Sequence, residues 1–272
     1  MQAGADAVIL DLEDSVSPSN KAQARSLVRD CLAAERRCRT GVRVNSRDTS
    51  WYLDDLARVC EAAPDFIVLP KCESLSDVQI LDHQLAVLEA ASGLPTGTVK
   101  IVPLVTETAA SLQTLDYRGA PDRLEALCFA GEDLSADLGV SARGSDRCLN
   151  PLLQLARRSV AIVASAAGIP CIDTPYPDPR DQAGLLAEAG EAVALGYGGK
   201  LCIHPSQIQP VHEAFQPDEE QIGWAKAVIA AFESAPSMGV VLLGGKMIDK
   251  AHLRLAQRCL KRIDVPGLLD HD

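Results

Sequence analysis

Short apolar runs alternate with longer amphipathic stretches along most of the chain. The runs fall at 7–10, 41–44, 65–69, 101–105, 124–130, 168–172 and 199–203. Each is too short for a helix and too continuously apolar for a strand with one wet face, so it reads as a strand buried on both sides. The stretches between them read as helices: 21–33 (after Ser17-Pro18, a helix-start pair), 51–62, 76–91, 109–115, a long one ending at 167, 181–195, and a short one opening at Ser206-Gln207. Two more helices follow, at 217–234 and 250–263, joined by 238–246. Strands of this kind alternating with helices predict a parallel sheet covered on both faces. Seven strand-then-helix units can be counted, one fewer than a (β/α)8 barrel needs. The expected fold is therefore a (β/α)8 TIM barrel over 1–215, lacking its amino-terminal strand, with a helical extension over 216–272. The alternative is a doubly wound open sheet, but no G-x-G-x-x-G follows the first strand. Met1 to Asp6 leads into a strand almost at once, as if the chain began inside a βα unit.

Polar residues stand where these apolar runs end: Asp11 and Glu13, Arg43 and Asn45, Lys71 and Glu73, Glu107, Glu132 and Asp133, Asp173, His204. In a barrel those ends form one mouth, where catalysis takes place. Glu107 and Asp133 each close an apolar run, as the ligands of a magnesium ion would: the ion takes one or two carboxylates and fills its other positions with water or substrate oxygens. Taken alone, Glu107 also reads as a helix-start acid and Asp133 as an N-cap.

Composition narrows the partners. The chain has 272 residues, 47% of them apolar, and a formal net charge of −11. It offers no basic patch for nucleic acid, and its charge opposes anionic membranes. Clustered arginines would still accept a small anion. Its nine cysteines are scattered, with no C-x-x-C and no zinc spacing. That predicts a reducing compartment, the cytoplasm or an organellar matrix. No apolar run is long enough to span a membrane, and no signal peptide is expected.

Eight segments in order carry a resemblance: Val8-Ile9-Leu10-Asp11-Leu12-Glu13-Asp14-Ser15-Val16, Val42-Arg43-Val44-Asn45, Leu69-Pro70-Lys71-Cys72-Glu73, Glu107-Thr108-Ala109, Gly131-Glu132-Asp133-Leu134, Ile172-Asp173-Thr174-Pro175-Tyr176, Cys202-Ile203-His204-Pro205-Ser206-Gln207 and Gly245-Lys246-Met247-Ile248-Asp249. At these positions the chain resembles the citrate lyase β-subunit-like family, among the HpcH/HpaI-type aldolases and the malyl- or citramalyl-CoA lyases. The resemblance implies a magnesium-dependent barrel that cleaves or forms a C–C bond beside an acyl thioester. It implies Glu107 and Asp133 as metal ligands and Arg43 as the clamp on a 2-keto acid. It makes Asp249 the acid or base at the thioester α-carbon, carried on a carboxy-terminal lid that reaches a neighbouring subunit. A homo-oligomer, commonly a trimer, follows.

Lesser roles follow for other residues. Backbone N–H groups around Gly131 and Glu132 are candidates for holding the enolate oxygen. Glu13 and Asp14 either orient metal-bound water or are structural acids. Lys71 is expected as a buried partner of Glu13 or Glu107. Arg143 and Arg147 either meet CoA phosphates or lie in a solvated loop. Asp173 and Tyr176 are expected to shape the mouth. Relatives usually open with a Leu-Phe-x-Pro-Gly strand that this chain lacks, which predicts a fragment, a shortened isoform or a misplaced start, and a gap beside the first strand. Val105-Thr106-Glu107 and Ala130-Gly131 also depart from the usual wording. The substrate is expected to be malyl-CoA, citramalyl-CoA or a citryl thioester on an acyl carrier. Malyl-CoA hydrolysis, a pyruvate aldolase and a non-catalytic subunit are the alternatives.

Overall fold

The computed structural model describes residues 4–264. Strands β1 (Ala7–Asp11), β2 (Arg39–Arg43), β3 (Phe66–Leu69) and β4 (Lys100–Pro103) pair in parallel in that order. Helices α1 (Lys21–Ala33), α2 (Tyr52–Cys60) and α3 (Leu75–Ala91) connect them. A second parallel set follows in chain order: β5 (Leu127–Cys128), β6 (Cys171–Asp173) and β7 (Gly199–Lys200). Its helices are α4 (Gly131–Asp137), α5 (Pro151–Ala167), α6 (Gln182–Ala194) and α7 (Ile208–Phe215). Parallel bridges at Ile101–Leu124 and Leu104–Cys128 join β4 to the second set. The fold is thus α/β with parallel sheets. Among the described residues no pairing joins β7 to β1, and Val8, Ile9 and Ile203 are exposed on those two strands and just beyond them.

Both faces of the inner strands β3 and β4 are buried, because alternate strand residues enter different apolar clusters. Ile67, Leu69 and Ile101 pack with Leu56, Leu81, Leu85 and Val160 from the helices. Phe66, Val68 and Val102 pack on the opposite side with Leu104, Ala126 and Cys128. The inner side has little room. Gly41 lies beside Phe66 in the register, and a Cβ there would fall 2.1 Å from the ring. Local signals set the helix limits. Ser74 and Asp77 form a capping box at the start of α3. Asn150 caps α5, Pro151 opens it, and Gly168, at φ +73°, ends it in the left-handed region.

Several expected elements differ. The 109–115 segment is a single 3-10 turn, Ala110–Gln113, and the sixth and last expected strands shrink to short ladders. Residues 219–264 hold α8 (Glu219–Glu233), β8 (Val240–Leu243), β9 (Lys246–Asp249) and α9 (Lys250–Asp264). An antiparallel hairpin therefore sits where only a link between helices was expected. Gly244 and Gly245, at φ +55° and +77°, make the two-residue turn whose twist suits a hairpin. This module has its own apolar cluster, Ala225, Val228, Phe232, Ile248 and Ala256. Among the described residues no helix is long and apolar enough to cross a membrane.

Candidate active site

The mouth begins where β1 and β2 end. Their register sets Asp11 beside Arg43, and Arg43 grips Asp11 with two bonds of 2.7 Å, from Nε and from NH2. Burial pushes the Asp11 carboxyl up, but Arg43, Ser15 and the Glu13 N–H outweigh it and hold the group at about 2. The remaining arm of Arg43 lies 2.9 Å from Glu13 Oε2. That contact is charge against charge without hydrogen-bond alignment, so Glu13 Oε2 is buried with no donor. Burial raises the Glu13 carboxyl despite Arg43 nearby. The backbone here is tied from below. Lys21 Nζ donates to the carbonyls of Leu12 and Glu13, both at 2.7 Å, and Asn45 Nδ2 donates to Leu12 at 2.9 Å. Asp14 faces solvent.

Glu107 follows β4 and is 3% exposed. Its Oε2 accepts the backbone N–H of Lys71, while its Oε1 is buried without a partner. Burial, with the charges of Asp133 and Glu13, lifts this carboxyl to about 8 against the pull of the Lys71 N–H. Thr106, next to it, binds across to the backbone of Ala130, at 2.9 Å to N and 3.2 Å to O. This locks the approach to Glu107 against the start of α4, whose first turn carries Asp133, half-buried. Lys71 itself is exposed, contrary to the expectation of a buried lysine. Desolvation lowers its ammonium, but Glu13, Glu107, Asp14 and Asp133 together raise it. The chain therefore brings Glu13, Asp14, Lys71, Glu107 and Asp133 into one electrostatic neighbourhood, with Arg43 at its edge.

This donor set suits a hard cation. Among the described residues no three of His, Cys, Asp and Glu gather as ligands, so the chain offers a pair of carboxylates rather than a cage. A buried carboxylate oxygen with no donor is costly unless something positive meets it. Magnesium, which binds through one or two carboxylates and keeps water or substrate oxygens, is suited to meet it.

Other expected site residues lie elsewhere. Glu132 turns away, 2.5 Å from Arg143, which also holds Glu188 at 2.9 Å. The Gly131 N–H is already given to Thr174 Oγ1 at 3.1 Å, so it is not a free donor for an enolate. Arg143 is largely buried by these pairings, and Arg147, though exposed, pairs with Asp181 at 2.7 Å. Asp173 and its partners form a closed network instead of an open wall of the mouth. Asp249 ends β9 in the carboxy-terminal module, where it binds the Ala251 N–H at 2.8 Å and His252 at 2.7 Å. Among the described residues it has no hydrogen bond or ion pair with the mouth. The bonds from His252 and the backbone lower its carboxyl, the opposite of what a base needs. Sequence reasoning missed Asp11 as the holder of Arg43 and Lys21 as the tie beneath Glu13. The only signal for Asp11 was its place at the end of the strand next to Arg43.

Comparison with known proteins agrees with this chemistry. Residues 1–205 match the family model described as HpcH/HpaI aldolase/citrate lyase. The citrate lyase subunit beta of Escherichia coli (strain K12) is 32% identical over 270 residues, covering 97% of this chain and 87% of that protein. The mitochondrial citramalyl-CoA lyase of Homo sapiens is 34% identical over 272 residues, covering 93% and 77%. The crystal structure of protein CitE from Mycobacterium tuberculosis, in complex with magnesium, acetoacetate and coenzyme A, superposes with a TM-score of 0.78 at 34% identity, covering 97% of this chain and 91% of that one.

Proposed function

The chain belongs to the HpcH/HpaI aldolase/citrate lyase family, and on that premise we propose that it is a magnesium-dependent C–C lyase acting on a 3-hydroxyacyl thioester. The products are an acetyl thioester and a 2-keto acid. The observation that carries the reading is Glu107, buried beyond β4 with Oε1 unpartnered and within reach of the Asp133 charge. These two carboxylates would hold the magnesium. When bound, it supplies a Lewis acid that lowers the cost of ionising the substrate hydroxyl.

The chain's own residues do the rest. Arg43, fixed by its double bond to Asp11, offers a rigid cation to the carboxylate of the keto-acid half. The substrate hydroxyl gives its proton to solvent, the C–C bond breaks, and its electrons pass to the α-carbon of the thioester as an enolate. Asp249, whose lowered carboxyl stands ionised, takes up a proton from solvent and relays it to that carbon. It stands outside the mouth of its own chain, so a neighbouring copy delivers it. Together with the family resemblance this supports a homo-oligomer, commonly a trimer, with the extension 216–272 as the lid, of which 265–272 lie outside the described residues. The seven parallel strands in chain order support a (β/α)8 barrel, its remaining stave lying between β7 and β1 where Val8, Ile9 and Ile203 are exposed. The thioester is carried on CoA or on an acyl carrier. Nine free cysteines suit a reducing interior, the cytoplasm or an organellar matrix.

The test incubates the protein with citramalyl-CoA and malyl-CoA, with and without magnesium, beside Glu107→Ala. Acetyl-CoA with pyruvate or glyoxylate, formed only with metal and only with Glu107, is the expected result. Free CoA with intact hydroxy acid would make the protein a thioesterase. No turnover of either thioester would remove the CoA lyase reading.

A further inference from the structure

Three non-glycine residues among those described have positive φ: Ala63 at +46°, Lys71 at +49° and Arg147 at +65°. Ala63 lies just before β3, and Arg147 lies in the loop before α5, paired with Asp181. Lys71 lies in the mouth. A lysine has no intrinsic reason to take the left-handed region, where a Cβ crowds the following carbonyl. Such conformations persist only where the surroundings impose them. The chain around Lys71 does so. β3 ends at Leu69, Pro70 restricts the next step, and the N–H of buried Cys72 returns to the carbonyl of Leu104 at 3.3 Å. The single residue between those anchors turns its N–H towards Glu107 Oε2.

We propose that Lys71 is a positioning residue whose left-handed backbone holds Glu107 Oε2 so that Oε1 alone is presented to the metal. The inference rests on the magnesium reading of Glu107 and deepens it. One oxygen is taken by the backbone and the other is buried without a donor, so the carboxylate would offer an ion one oxygen. That leaves more coordination positions for the substrate hydroxyl and carboxylate than a two-oxygen grip would. The part of Lys71 that performs this is its peptide, not its ammonium.

Four variants separate the two. Lys71→Gly, Lys71→Asn, Lys71→Met and Lys71→Val all lack the ammonium, so any effect of its charge on a cation is common to them. They differ in how readily they take positive φ: freely for Gly, acceptably for Asn, poorly for Met and worst for Val. Where the conformation is not held, only a fraction of molecules is competent, and the apparent affinity falls by that fraction. Binding of magnesium chloride alone is measured by titration calorimetry on the full chain, without substrate, and thermal unfolding is recorded in parallel. Gly and Asn should bind alike, within about threefold, and Val about tenfold more weakly, with Met between, since a Cβ in the left-handed region crowds the following carbonyl and a β-branched one crowds it most. If Val does not fold, the order of Gly and Asn against Met carries the test. Equal affinities across the folded variants, with melting temperatures alone changing, would overturn the inference and leave the metal site standing. Absence of binding to the wild type, or unchanged binding to Glu107→Ala, would instead overturn the metal reading beneath it.

Discussion

Two clusters of buried charge lie at strand ends in this molecule, and they are finished differently. Beyond β6 and β7, both oxygens of Asp173 are taken: Arg157 donates to each at 2.8 Å and Lys200 to one at 2.6 Å. Lys200 spends its other bonds on the Thr174 carbonyl at 2.6 Å and on Glu188 at 2.8 Å. Asp173, Lys200 and Arg157 are at most 1% exposed as side chains. Beyond β1 to β4, Glu13, Asp14, Glu107 and Asp133 gather around the Lys71 ammonium; Glu13 Oε2 has the Arg43 charge 2.9 Å away but no hydrogen-bond donor, and Glu107 Oε1 is buried with no donor or ion-pair partner among the described residues. The first closes its carboxylates on cations of the chain, and only a donor at its rim, Arg143 Nε, is buried without a partner among the described residues. A cluster built to receive a cation leaves a carboxylate oxygen that the chain does not satisfy.

The sharpest way to break that contrast is to change one member of each cluster. Glu107→Gln keeps shape and burial but removes the charge. Turnover of the thioester should fall on the order of 10³-fold, because a bound metal contributes several kcal/mol at the transition state. The metal-free protein should melt no lower than wild type, since a burdened carboxyl has been replaced by a neutral amide. A clear drop in its melting temperature would make Glu107 a structural acid. Lys200→Met should do the reverse. It leaves Asp173 and Glu188 facing each other beneath the surface, and breaking a buried pair costs roughly 3–5 kcal/mol. Urea unfolding reads this directly. A loss under about 1 kcal/mol would remove the distinction between the clusters.

The same contrast explains how much could be read in advance. The parallel α/β plan was legible, because strand length and two-sided burial leave a mark on local composition: Phe66 to Leu69 is apolar at every position and buried at every position. The place of Glu107 beyond β4 was legible because an acid closing such a run must stand past the strand's end. Partnership was not legible. The hold of Asp11 on Arg43 depends on the register between strands 32 residues apart. Nothing local distinguishes Asp173, locked in its network, from Glu107, left open. The hairpin at Gly244 and Gly245 had a signal, two glycines between short apolar runs, that helix periodicity on either side concealed. Lys71 had none, since its backbone conformation is imposed by neighbours.

A smaller effect sharpens the edge of the open cluster. Asp11→Asn weakens the grip on Arg43 and should cost about 1–2 kcal/mol at pH 7, part of what holds its carboxyl at about 2, as Glu13 still faces Arg43. The sign follows from the direction. A carboxyl lowered from 3.8 to about 2 contributes its stability above its unfolded value and loses it as the pH falls towards 2. The gap between wild type and variant in urea unfolding should therefore narrow between pH 5 and about pH 3. A gap that stayed constant would mean that Asp11 acts through shape and not through charge.

The smallest effect is expected at Glu132, one residue from a proposed ligand. Its sequence position gave it a place in the substrate site, but its side chain is 51% exposed and directed at Arg143. Arg143 is held independently by Glu188 at 2.9 Å and lies over the Tyr176 ring, 5.3 Å from its centre. Losing Glu132 removes a half-exposed pair, and such pairs contribute from nothing to about 1 kcal/mol. Glu132→Gln should keep KM for the thioester and magnesium affinity within about threefold of wild type, since 0.6 kcal/mol is already a factor of nearly three. Steady-state kinetics on this variant decides whether the mouth ends at Asp133. A tenfold rise in KM with unchanged melting would put Glu132 among the groups that touch substrate. It would also mean that the Arg143 pairing opens on binding, so that the closed cluster and the open one share a member.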